Sequence, residues 1–558
     1  MNPRSDNEEQ GCPQITESRF LLVARQHVSS AYPNPPLGAP SRFVTITADT
    51  GFIMNETQLS ADYPLRIGNP EDFARVRIAL SGPGFDERST HQALLNAGFS
   101  FDDDVLAPQP ASEPLQAGPL IALFVEQKQV QREQLERLFD DQTLTSFRNL
   151  DLIRVCESNS SYYSPVILYP VGDVLIASDY YKPPVEGWTP PTDSVYPALH
   201  SLSLLRVVPT RPVQAVLDLC SGTAIFGLAQ AKHATRVLAS DITERATHFA
   251  LFNRYLNDCG NVEIVRGDLY EAASGQTFDR IIAHAPYVPT FTDAGGQIWR
   301  DGGVSGEEII TRIVQSLPQY LRPGGEFFTA FAAAESETLR LEQRVRTWLG
   351  SAQSEFDVIF AFKRQFAFKE IANQVLARSQ TPADIDPARI DQQLRELGFT
   401  HYASGVMGIR RHTAAANPWT FRTELSPKTN EASFGHAFDS NSDLASSRLK
   451  QLRLSLPAGM RIRETHQVDQ HGKLQLTDFI LECDWPFHHT VKTDNWIRTL
   501  MDSFNGRASV EELYATARLT GALPSSFSLT EFIGLVRIFV RNGYLVTSAS
   551  GPDTLTSR

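Results

Sequence analysis

The sequence predicts an α/β chain with a doubly wound parallel sheet in the middle and mostly helical modules on both sides. Two observations carry this. Between Ser194 and Arg411, short apolar runs alternate with helical periodicity in βα order. On either side, from Phe73 to Phe139 and from Trp496 to Val546, apolar residues recur at helical spacing. The chain has 558 residues, which at roughly 150 per domain is room for three or four units with their own cores.

Taken in order, residues 1–69 read as a poorly ordered arm, because YPNPPLGAP (Tyr32 to Pro40) sustains neither a helix nor a central strand. Residues 70–178 read as a first module. VQREQLERLF, Val130 to Phe139, is helical, and LDLIRVCE and YYSPVILYPVGDVLIASD then alternate like strands, which predicts a winged-helix-like unit. No Lys/Arg stripe accompanies it, so packing or homodimer contacts suit it better than nucleic-acid recognition. After the Pro-rich stretch Lys182 to Asp193, the central unit, 179–412, has expected strands at Ala215–Leu219, Arg236–Ser240, Val262–Arg266, Arg280–His284, Glu326–Ala330 and Val406–Arg410, with a longer insertion before the last. Residues 413–450, polar and weakly periodic, read as linker or irregular surface. Residues 451–558 form a last helical or winged-helix-like module with a loop at Asn505-Gly506 and a short terminal strand.

Composition narrows the class. Hydrophobic residues make up 42% and charged residues 21%, which is ordinary for a soluble globular protein. The net charge of −13 argues against a generally basic nucleic-acid or membrane-surface binder. Five scattered cysteines without a CxxC pair suggest neither a disulfide framework nor zinc, and fit reduced thiols in the cytoplasm. The polar N-terminus and the lack of a run of about 18 apolar residues point away from secretion and membrane insertion. His488 and His489 lie near Cys483 and Asp484, but adjacent side chains diverge on a strand, so no metal is expected. GxxxxGK[ST], HExxH and GxSxG motifs are absent from the sequence.

The chemistry lies in the central unit. VLDLCSGTAIFGLA joins a strand containing Asp218 to a turn of small residues and then a helix, a geometry that offers backbone N–H groups to a ligand. About 20 residues on, Asp241 ends the next strand, where a carboxylate can accept both hydroxyls of a ribose. Asp268 follows the third strand, and His284-Ala285-Pro286-Tyr287 follows the fourth. All four segments converge on the carboxyl edge, where open parallel sheets bind ligands.

With these motifs, residues from about 180 to 412 resemble a class I S-adenosylmethionine-dependent methyltransferase with a Rossmann-like sheet. The stretch is similar to the small-domain branch that contains the release-factor glutamine N5-methyltransferases. The resemblance implies an enzyme with S-adenosylmethionine as cofactor. It implies that Asp218, Cys220, Ser221 and Gly222 line the methionine and ribose end, that Asp241 and Ile242 hold the ribose, that Asp268 and Leu269 face the adenine, and that His284 reaches the same site. Ser194 to Leu205 resembles the segment that folds over the cofactor, and the loop Trp299 to Glu308 would close over the acceptor.

Two departures from that pattern stand out. Cys220 and Ala224 replace glycines of the turn, which reduces access to positive φ. His284-Ala285-Pro286-Tyr287 replaces the Asn-Pro-Pro-Tyr tetrapeptide, whose Asn grips the N–H groups of a target amide. A histidine cannot copy that fixed donor-acceptor pair, but with an ordinary pKa near 6.5 it can serve as a base. The catalytic candidates are therefore His284, Pro286 and Tyr287, with a plain strand-capping role for His284 as the structural alternative. Three functions follow: methylation of nitrogen in a protein side chain or nucleobase, methylation of a small molecule or biosynthetic peptide with His284 as base, or cofactor binding without turnover.

Overall fold

The computed structural model describes residues 63–547, except 83, 97–117, 157–159, 181–190, 198–200, 290–296, 369, 371–386, 443–445 and 525. The arm expected over 1–69 lies outside the described residues up to residue 62, as do most of the Pro-rich connection and much of the insertion. All described residues belong to one compact unit, Val44–Arg558.

An eight-stranded sheet organises the centre. Its strands are β1 Val213–Leu219, β2 Ala234–Asp241, β3 Val262–Arg266, β4 Phe278–Ala283, β5 Leu321–Glu335, β6 Phe356–Phe366, β7 His401–Arg411 and β8 Thr420–Glu424. They lie in the order β8-β6-β7-β5-β4-β1-β2-β3. β1 pairs in parallel with both β2 and β4, so the chain winds one way through β3 and then crosses to β4 and β5. That reversal opens a crevice at the carboxyl ends of β1 and β4. Residues 215–219 of β1 are all buried, as a strand covered on both faces requires.

Helices α1 Leu202–Val207, α2 Ile225–Gln230, α3 Glu244–Leu256, α4 Glu308–Tyr320 and α5 Leu341–Trp348 belong to this central part. α4 buries Ile310, Ile313, Val314 and Leu317, a spacing that puts them on one face. Each such side chain contributes about 1.5–3 kcal/mol on burial.

The Rossmann-like α/β class matches the expectation, with two corrections. β7 runs antiparallel to both β5 and β6; an apolar strand pattern carries no direction, so the sequence could not reveal this. Residues 413–450, read as linker, contain β8, which extends the sheet by pairing with β6, and a helix Ser433–Ser442 with Phe434, Ala437 and Phe438 buried. β8 is short and mostly polar, TFRTE, so its strand character shows in the alternating burial and not in an apolar run. Its Arg422 lies 3.6 Å from the Phe362 ring centroid and bonds Glu335 and Glu342 at 2.9 and 2.7 Å.

The N-terminal part is fastened to α3. Asn253 and Asn257 each bond both backbone groups of a residue in the hairpin strand Val174–Ser178, at 2.7–3.0 Å. Phe73 meets Phe252 edge-on at 5.1 Å. One apolar cluster accordingly runs from Leu65 to Phe487. The C-terminal part has its own cluster, built from helices Trp496–Met501, Val510–Leu519 and Leu529–Arg541 and short antiparallel strands.

Candidate active site

The turn after β1 is wound tightly. Cys220, Gly222 and Ala224 have φ of 53°, 52° and 60°, so the two non-glycine positions adopt the left-handed conformation that their side chains disfavour by about 1–2 kcal/mol each. The departures from glycine thus leave the turn's shape intact and load it with strain. Ala224 starts α2.

Asp218 lies beneath this turn, outside the cavity wall. Its Oδ2 accepts from the Gly227 N–H at 2.8 Å, and Oδ1 has no partner among the described residues. A Cβ on Gly227 would come within 3.2 Å of the same carboxylate and 3.3 Å of Val237, so a glycine lets α2 approach the sheet. Burial, reinforced by Asp241, pushes the Asp218 carboxyl well above the ordinary carboxylate range. A carboxyl raised on folding withdraws stability, and the amount grows as pH climbs from its unfolded value towards its folded one. Asp218→Asn is therefore expected to raise the thermal midpoint near neutral pH. The gain should shrink towards pH of about 4, where the unfolded carboxyl also binds its proton; melting curves across that range check it.

At the end of β2, Asp241 Oδ2 accepts from Gly222 N–H at 2.9 Å and Oδ1 from Thr243 N–H at 3.1 Å. Burial raises its carboxyl, and these hydrogen bonds oppose the rise. At the end of β3, Asp268 receives Arg312 from α4 at 2.6 Å. Leu269 follows with φ 50°.

Beyond β4, the His284–Tyr287 segment forms the facing wall. His284 stacks on Tyr287, centroids 5.7 Å apart, and its Nδ1 lies 2.6 Å from Ser201 Oγ. Val288 N–H donates to Arg300 O and Gly302 N–H to Val288 O at 3.0 and 2.8 Å, which ties Val288 to the Arg300–Gly302 segment. Ser194 Oγ donates to Gln297 at 2.8 Å, and Trp299 stacks on Tyr196 at 4.4 Å.

These parts enclose a cavity of about 660 Å³. Cys220, Ser221, Gly222, Asp241, Ile242, Asp268, Leu269, His284, Pro286 and Tyr287 all line it, and of the site residues expected from sequence only Asp218 does not. Burial and three surrounding carboxylates push the Cys220 thiol far up, so it stays neutral and unreactive. Sequence reasoning missed the far end, where Ala332, Arg364, Phe366 and Ser404 complete the wall. Arg364 and Phe366 stand on β6, a strand absent from the expected set. Its apolar run Val358–Phe362 was the signal that could have found it.

Away from this cavity, Glu482, Asp484 and His488 bring potential ligand atoms within 4.8 Å of one another. Arg461 bonds both carboxylates, at 2.6 and 3.0 Å, and so balances their charge. His488 turns to Asp484 and His489 to Thr423.

The fold, the turn and the carboxylates at the strand ends define a nucleoside-binding doubly wound protein. Residues 200–358 match the methyltransferase small domain family. A protein from Methanocaldococcus jannaschii, named as a protein N5-glutamine methyltransferase, is 33% identical over 26% of this chain and 75% of its own length. The release factor glutamine methyltransferase of Geobacter sulfurreducens is 28% identical over 22% of this chain and 48% of its own. The ribosomal protein uL3 glutamine methyltransferase of Bradyrhizobium diazoefficiens is 32% identical over 20% and 39%. The chain thus spans half or less of the latter two relatives. It belongs to the class I S-adenosylmethionine-dependent methyltransferases, in the small-domain branch. No described helix is long and apolar enough to cross a membrane.

Proposed function

We propose that this protein transfers the methyl group of S-adenosylmethionine to a side-chain nitrogen, amide or amine, of a protein. The observation that carries the reading is the placement of His284-Ala285-Pro286-Tyr287 on one wall of the cavity, with Gly222 and Asp241 lining the same space. The residues present suit the cofactor: Asp241 offers a carboxylate to a ribose diol, the Gly222 turn offers close backbone approach, and Leu269 offers an apolar surface beside Asp268 for a base. When bound, the cofactor supplies an already activated methyl group. The chain's task is alignment. Tyr287 and Pro286 bound the acceptor, the stacked pair Tyr196 and Trp299 shields that end from water, and His284 addresses the group being methylated.

Incubating cell lysate with methyl-labelled cofactor tests this, with label expected in protein. Label confined to small molecules would instead support a second reading, a small aromatic acceptor, which Phe366 in the cavity wall favours; Arg364 beside it pairs with Glu370 at 2.7 Å.

Gly302→Ala probes the alignment. A Cβ there would lie 2.7 Å from Pro286 O and 2.9 Å from Tyr287 Cα, both unyielding backbone. The acceptor wall must shift, so turnover is expected to fall about 10²-fold while cofactor affinity, measured by calorimetry, stays near wild type.

A further inference from the structure

Asn253 of α3 is fully buried, 0% exposed, and its amide is divided between two distant parts of the chain. Its Oδ1 accepts the Ala177 N–H at 2.9 Å, and its Nδ2 donates to Ala177 O at 3.0 Å and to Thr223 O at 3.1 Å. Ala177 stands in the hairpin strand Val174–Ser178, which does not line the cavity, whereas Thr223 does. One side chain thus joins the N-terminal hairpin to the turn after β1. A primary amide offers two N–H donors and a carbonyl acceptor, and all three are engaged here.

The Thr223 carbonyl depends on that donor. In an α-helix it would accept from the N–H four residues on, that of Gly227, but Gly227 donates to Asp218 Oδ2 at 2.8 Å instead. Ala224, at φ 60°, has turned the carbonyl out of the helical ladder. A buried carbonyl without a partner costs about as much as a lost hydrogen bond, and this one sits in a turn already strained at Cys220 and Ala224. Such strain persists only where the surroundings over-determine the conformation. From β2, Ser240 O and Asp241 hold the N–H groups of Ser221 and Gly222; from α3, Asn253 holds the carbonyl of Thr223.

We propose that Asn253 is a positioning residue that makes the N-terminal hairpin part of the S-adenosylmethionine site. The hairpin fixes the amide, the amide fixes Thr223, and the turn is kept in the shape that meets the cofactor. The inference rests on the reading above that this turn receives the cofactor. Coupling of this kind is reciprocal: if the hairpin supports the turn, a ligand that orders the turn supports the hairpin in return. Asn257 supplies the comparison. It bonds both backbone groups of Leu175 in the same strand at 2.7 Å, but its third contact is Asn253 O and not the turn.

Calorimetry with S-adenosylhomocysteine on the full-length protein is expected to find affinity lowered about 10-fold in Asn253→Ala and within about twofold of wild type in Asn257→Ala, though both variants loosen the hairpin. Hydrogen exchange read by mass spectrometry should quicken over Cys220–Ala224 in Asn253→Ala alone. In the wild type, the same ligand should slow exchange across Val174–Ser178 and leave the helix Val510–Leu519, which belongs to a separate apolar cluster, unchanged. That measurement decides the matter even where a variant does not fold. Equal affinity losses in the two variants, no loss in either, or a hairpin indifferent to the ligand overturns this inference and leaves the cofactor site standing. A wild type that binds no S-adenosylhomocysteine, with the turn still loosened in Asn253→Ala, overturns the placement of the cofactor and leaves the support of the turn by Asn253 standing.

Discussion

Asp179→Ala is expected to destabilise the protein by about 3–5 kcal/mol, because it removes one partner of a buried ion pair. Arg245 of α3 grips Asp179 through two nitrogens, at 2.7 and 2.5 Å, and the side chains are only 10% and 6% exposed. The guanidinium also lies over the rings of Tyr63 and Phe249, each 5.9 Å away. Asp179 Oδ2 accepts the Val195 N–H at 2.8 Å as well, so the loss reaches the segment that lines the cavity. Asp179→Asn keeps an acceptor for Val195 and should cost less. Replacing both partners, Asp179→Ala with Arg245→Met, should recover most of the loss, since no charge is left unpaired. Urea titrations of the four proteins measure this; equal losses in the single and double variants would show that the pair is not what holds the segment.

Asp241→Ala is expected to weaken S-adenosylmethionine binding by about 10²- to 10⁴-fold. Two hydrogen bonds to a charged acceptor are each worth about 1.5–3 kcal/mol, and each 1.4 kcal/mol is tenfold in affinity. The variant also frees Gly222, whose N–H the carboxylate anchors. Because burial raises the Asp241 carboxyl, wild-type affinity should fall on acidification at a higher pH than an ordinary carboxylate would impose. Below that point the protonated group no longer accepts two hydroxyls. Calorimetry across the pH range checks both; an Asp241→Ala variant binding like wild type would remove this residue from the cofactor site.

Much of the site was legible without coordinates. Asp241, Asp268 and His284 could be placed together because each follows an apolar run of strand length, and parallel strands bring their carboxyl ends to one edge whatever their order. Helix α4 was legible from its 3.6-residue spacing and β3 from its apolar run, both local properties of the chain. β6 and β8 were not, since an apolar run fits a buried helix as well as a buried strand, and an edge strand such as Thr420–Glu424 shows its role only through its partners.

What the sequence by itself determined is the order of elements and the residue types at each strand end. The tertiary structure alone decided the antiparallel course of β7, the downward turn of Asp218 beneath its loop, and the pairings Asp179 with Arg245 and Ser201 with His284, 66 and 83 residues apart. The physical reason is range. Periodicity and turn chemistry act within a few residues, whereas a buried hydrogen bond or ion pair depends on which distant groups the packed sheet carries out of water together.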